Sequence, residues 1–96
     1  MLQQVIVKAE TGLSIKPLLQ SAIQSELKVL AHGIQRTNKR LTGFEEQFSF
    51  SSEDFERKYS AGELEESLDF IDWFGEIKTL HLLQDQEKAL QEIEIS

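Results

Sequence analysis

The sequence predicts a mainly α protein. It reads as a hairpin of two long helices with a short intervening helix and an N-terminal β-strand, dimeric, with residues 1–96 forming a single helical domain. Three observations carry this. Ile23, Leu27, Leu30, Ile34, Thr37, Leu41, Phe44 and Phe48 follow at steps of 4, 3, 4, 3, 4, 3 and 4, the heptad period that keeps apolar side chains on one seam of a helix. A broad apolar run, Leu64, Leu68, Ile71, Trp73, Phe74, Ile77, Leu80 and Leu83, follows in the C-terminal half. Between the two, residues 49–52 and 60–62 are rich in serine and carry a glycine, the usual punctuation between helices.

The first element is a strand over residues 2–9, where Val5, Val7 and Ala9 alternate with Gln4, Ile6 and Lys8 and only Ile6 breaks the pattern. Thr11 and Gly12 end it. A lone strand leaves its backbone groups unpaired, so this one needs a partner, most simply the same strand of a second chain.

A helix over residues 15–47 follows, with Ser14 as its cap and Pro17 in the first turn, where a missing amide costs little. Leu18, Leu19, Ala22 and Ala31 widen its apolar face. Gly33 and Gly43 each weaken it by about 1 kcal/mol relative to alanine, and Gly43 is the place for a bend or an early stop. Unbroken, the helix spans roughly 50 Å. No compact globule of 96 residues holds such a rod in its interior.

Ser51 and Asp54 then resemble a capping box with aspartate in place of glutamate, opening a short helix over residues 52–59 that sets Phe55 and Tyr59 on one face. The last helix is expected over residues 63–93, starting at Glu63 directly after the Gly62 turn.

Composition bounds the function. The formal net charge is -7, and it is divided unevenly. Residues 1–42 hold six cations against two acids, net +4, whereas residues 43–96 hold four cations against fifteen acids, net -11. The halves attract each other, and the chain as a whole repels nucleic acid. The chain has no cysteine, which excludes disulfides, thiolate zinc sites and cysteine nucleophiles. No apolar stretch has the length of a membrane span, and the first residues lack the form of an export signal, so a cytoplasmic protein without membrane contact is expected. Below about 100 residues a chain buries little more than about 60% of its surface, which makes a homo-oligomer a natural source of extra core, with Ile23, Leu27, Leu30, Ile34 and Leu41 as the dimer seam.

Sites for chemistry are sparse. His32 and His81 have no partner at metal-pair spacing, and no HExxH, phosphate loop or nucleophile elbow is present, so no enzyme, cofactor or metal is expected. Glu65, Asp69, Asp72 and Glu76 are spaced 4, 3 and 4 apart, one acidic helical stripe. Most such stripes are solvated faces; a lesser reading is a surface for the lysines and arginines of a partner, and the least is a metal site, which lacks the histidines and the ligands from other helices that such sites use. Beside it, Phe70, Trp73 and Phe74 form an apolar ridge that suits an interface anchor or, equally, the core between the long helices. Asp69, Phe70, Asp72, Trp73, Phe74 and Glu76 are therefore the partner-binding candidates. Lys8, Arg36, Lys39 and Arg40 are the only candidates for nucleic-acid contact. Three cations on one helix neutralise a phosphate or two without reading bases, and they are more often half of an internal ion-pair set.

The string Glu53-Asp54-Phe55-x-x-Lys58-Tyr59-x-x-Gly62-Glu63-Leu64-Glu65-Glu66-x-x-Asp69-Phe70-Ile71-Asp72-Trp73-x-x-Glu76, preceded by a long helix ending in Leu41-x-x-Phe44-Glu45, resembles a group of small proteins common in cyanobacteria and archaea. Their genes often lie directly upstream of a small toxin gene, and they are called antitoxins for that reason. The resemblance covers residues 2–83 and implies an accessory protein without catalysis that binds a cognate small basic toxin and its own operator. The strand-then-helix start also resembles ribbon-helix-helix repressors, from which this sequence departs in its much longer helix and its few polar readers beyond Gln3, Gln4 and Lys8. The expected function is a non-catalytic protein-binding module, an antitoxin in its most concrete form. The alternatives are a structural helical assembly protein and a weak operator-binding regulator.

Overall fold

The computed structural model describes residues 3–6 and 15–95. Its elements in chain order are β1 (Gln3–Val5), α1 (Lys16–Phe48), α2 (Ser52–Ser60), α3 (Leu68–Gln91) and β2 (Ile93–Ile95). The protein is mainly helical. Helices α1 and α3 run antiparallel as a hairpin in a molecule 60 × 22 × 18 Å across, and α2 closes one end.

Helix α1 starts with Ile15 in the cap position and Pro17 in its first turn; Ser14 lies outside the described residues. It runs unbroken through Gly43, so the stop expected there does not occur. The helix ends instead where Ser49 takes a left-handed conformation (φ 60°) and its N–H bonds Glu45 O at 2.9 Å. The same Glu45 orients α2, since its Oε2 accepts the Ser52 N–H at 2.7 Å while Ser51 Oγ caps the Asp54 N–H at 3.1 Å. Ser51 thus caps as expected, but the second acceptor comes from α1 rather than from Asp54.

Helix α3 begins at Leu68, five residues later than expected. Helix α2 ends with the Gly62 N–H on Tyr59 O (3.1 Å) and the Glu63 N–H on Lys58 O (3.0 Å), with Gly62 left-handed at φ +74°. That pair of bonds is a Schellman stop, and it turns the chain away from the helix axis. Residues 63–67 then return without helix, Leu64 packing on the core, until Ser67 Oγ accepts the Phe70 N–H at 3.1 Å and caps α3. Glu65 therefore leaves the acidic stripe.

The heptad seam closes the hairpin within one chain. Leu30 and Leu41 are buried and Ile23, Leu27 and Ile34 half-buried. Ile23 and Leu27 lie beside Leu90 and Ile93 of the same chain. Within this chain α3 supplies the apolar surface that a second copy was expected to bring to the seam. Gly33 belongs to this packing, as a Cβ there would lie 3.3 Å from Leu83 Cδ1. Gly43 and Gly75 do not, for a Cβ at either meets nothing within 4 Å. Each still costs its helix about 1 kcal/mol relative to alanine.

The densest core sits at the α2 end, where Leu41, Phe55, Trp73 and Ile77 are buried and Phe44, Phe48, Phe50, Tyr59, Leu64, Phe70, Phe74 and Leu80 pack round them. At the other end β1 pairs in parallel with β2, Gln3 opposite Ile93 and Val5 opposite Ile95. This three-residue strand finds its partner in the chain's own C-terminus, where the last helix was expected to continue to residue 93. Of the strand expected over residues 2–9, Leu2 and residues 7–9 lie outside the described residues.

Candidate protein-binding surface

The six residues expected to bind a partner divide into four groups. Trp73 is fully buried. Its ring lies 4.0 Å from Phe55 at an interplanar angle of 3°, with Phe44 and Phe48 stacked at 5.6 and 5.7 Å, and its indole N–H donates to Ser52 Oγ at 2.9 Å. Nothing outside the chain reaches it, so Trp73 is a core residue and not an anchor for a partner.

Phe70 and Phe74 are half-buried. Phe70 meets Phe48 edge-on at 5.1 Å and Phe55 at 5.3 Å, and Phe74 lies 4.9 Å from Tyr59 with Lys78 Nζ 4.7 Å above its ring. The aromatic ridge is thus mostly spent on closing α2 against the hairpin. Phase along the helix decides this, because positions 70, 73, 74 and 77 form the row that faces inward.

Glu76 accepts from Arg40 Nη1 at 3.0 Å, an ion pair across the hairpin. It fits the attraction between a basic first half and an acidic second half, and it commits Arg40 as well as Glu76 to the fold. Arg36 and Lys39 are exposed on α1, and Lys8 lies outside the described residues. His32 and His81 are exposed. Among the described residues no three His, Asp or Glu side chains converge as a cation site would need, and none of the helices is long and apolar enough to cross a membrane.

What remains open to a partner is the acidic corner made by the α2–α3 connection and the first turns of α3. Residues 63–72 hold five acids and no cation. Glu63, Glu65, Glu66, Asp69 and Asp72 are all exposed. Among them stand Leu68 at 81% and Ile71 at 48% exposure. Sequence reasoning placed these two in the broad apolar surface of the last helix without naming them as partner-binding residues. Their offset from the Phe70, Trp73, Ile77 row was the signal that they face outward, since residues two apart on a helix point to different sides. The corner combines outward apolar side chains with an unbalanced negative field, the make-up of a charge-selective docking surface.

A hydrogen bond from the Tyr59 hydroxyl to Glu66 ties this corner to α2. The bond, then burial and the Glu66 charge, raise the Tyr59 pKa above its ordinary 10.0. Because the folded value lies above the unfolded one, the stabilisation is complete below pH 10.0 and is lost as pH rises through the folded pKa. In an ultraviolet titration Tyr59 is expected to ionise above 10.0 in the parent and to return toward that value in Glu66→Ala. Equal midpoints in the two proteins would disprove the tie.

No family model, curated protein or solved structure matches this chain.

Proposed function

We propose that this protein is a non-catalytic protein-binding module that acts as a cytoplasmic homodimer, in its most concrete form the antitoxin of a toxin–antitoxin pair. The observation that supports this reading is the corner at residues 63–72, where the exposed acids Glu63, Glu65, Glu66 and Asp69 accompany the outward side chain of Leu68. A toxin that acts on nucleic acid has a basic working surface. The acidic corner neutralises it by lying where phosphate would lie, with Leu68 as the apolar anchor in the place the sequence suggested for Trp73. The antitoxin role itself rests on the sequence resemblance.

The test is direct binding to the product of the gene adjacent to its own. Reversal of Glu65 and Asp69 to lysine is expected to weaken binding at least tenfold, about 1.4 kcal/mol, and to slow association at low salt. Both side chains are exposed, so helix content and oligomeric state stay unchanged. A doubly reversed protein that binds as tightly as the parent would reduce the corner to an ordinary solvated surface. A structural assembly role is the second reading, favoured by the apolar flank described next.

A further inference from the structure

Among the described residues, the large apolar side chains exposed besides Ile6 and Leu68 fall into two pairs. Leu18 and Val29 (68% and 61% exposed) lie eleven residues apart on α1, and Ile71 and Leu82 (48% and 57%) lie eleven apart on α3. Eleven residues are three turns, so each pair shares a helical face. The two faces adjoin. One groove between the helices is lined by Arg40, Gly43, Ile71, Asp72, Gly75 and Thr79, and a second, sharing Arg40 and Thr79 with it, continues past Val29 and Arg36. One flank of the hairpin thus carries a continuous groove with apolar edges. Gly43 and Gly75 line it, and nothing in their own chain requires a glycine at either position.

We propose that a second copy of this chain docks antiparallel on this flank, with a two-fold axis at the level of the Arg40–Glu76 pair. The inference rests on the dimeric reading above and assigns its surface. Three features select a second copy as the occupant. The flank is self-complementary, because an axis at Glu76 sets Ile71 of each copy opposite Leu82 of the other, with Gly75 and Thr79 between them where the helices approach most closely. Charge agrees with the same axis. Asp72 lies one turn from Glu76 toward one end of the hairpin and Arg36 one turn from Arg40 toward the other, so each Asp72 comes level with the other copy's Arg36 across the groove. Area also suffices. The chain exposes 7172 Å², where a compact monomer of its mass exposes about 5,600 Å², and a standard interface removes about 800 Å² from each partner.

Sedimentation equilibrium at micromolar concentration tests this without any other protein. The parent is expected at twice the 11.0 kDa chain mass, and Ile71→Glu with Leu82→Glu at 11.0 kDa with unchanged helix content, since both side chains are exposed. Gly75→Leu is expected to be monomeric with unchanged helix content, because a Cβ there meets nothing in its own chain. Arg36→Asp should weaken association at least tenfold, and adding Asp72→Arg should restore it. A parent of 11.0 kDa overturns the dimer and this surface together. A dimer that survives the two glutamates overturns the surface alone, and failure of the charge swap to rescue overturns the axis. None of these results depends on whether the acidic corner binds a basic protein.

Discussion

Trp73→Ala is expected to cost about 3–5 kcal/mol, the range for removing a large buried ring. Trp73 is fully buried at the centre of the densest core, stacked on Phe55 at 4.0 Å and flanked by Phe44 and Phe48. Each such ring pair contributes about 0.5–1.5 kcal/mol beyond the area it buries. Its indole also holds Ser52, the first residue of α2, so the substitution loosens the junction as well as emptying the core. Against a total stability of about 5–15 kcal/mol, a loss of this size leaves a domain of 96 residues marginal at best. Urea unfolding followed by circular dichroism measures it directly. Trp73→Phe retains a ring in the stack without the N–H and should cost less. A loss below about 1 kcal/mol for the alanine variant would mean that the ring is not the keystone of this core.

Leu30→Asp is expected to destabilise the hairpin by at least about 3 kcal/mol, because loss of a buried leucine costs about 2–5 kcal/mol and an unpaired buried carboxylate adds to it. Leu30 lies in the middle of α1, beside Gln86, Ala89 and Leu90 in the last turns of α3. Since α3 of the same chain covers it, the loss should be the same at every protein concentration. A loss that grows as the protein is diluted would show that the seam joins two chains.

Much of the helical plan was legible because it rests on local chemistry. The seam from Ile23 to Phe48 has one period and one phase, and Ser51 supplies a cap whose geometry is nearly independent of context. The late start of α3 was not legible. Glu63, Leu64, Glu65 and Glu66 are good helix formers, and propensity alone extends the helix through them. The Schellman bonds at Gly62, the burial of Leu64 and the Tyr59–Glu66 hydrogen bond outweigh that preference, and all three depend on where α2 lies.

The candidate site was legible in its charge and not in its anchors. Acidity belongs to a segment whatever its phase, so the negative corner at residues 63–72 was visible in the sequence. Which ring faces inward depends on which side of α3 meets α1. Aromatic density drew attention to Trp73, which is buried, while Leu68 and Ile71 stand outward. A heptad pattern is equally blind to whose helix fills its seam. It reports a face that needs covering, and only the hairpin connection through α2 decides that the same chain covers it.

The central functional claim is that a basic protein docks on the acidic corner and not on the basic stretch of α1. Hydrogen exchange of the protein alone and bound to its neighbouring gene's product separates the surfaces in one measurement. The expected result is new protection confined to residues 63–72, with the amides around Arg36 and Lys39 exchanging as before. Protection centred on Arg36 and Lys39, with residues 63–72 unchanged, would contradict the account.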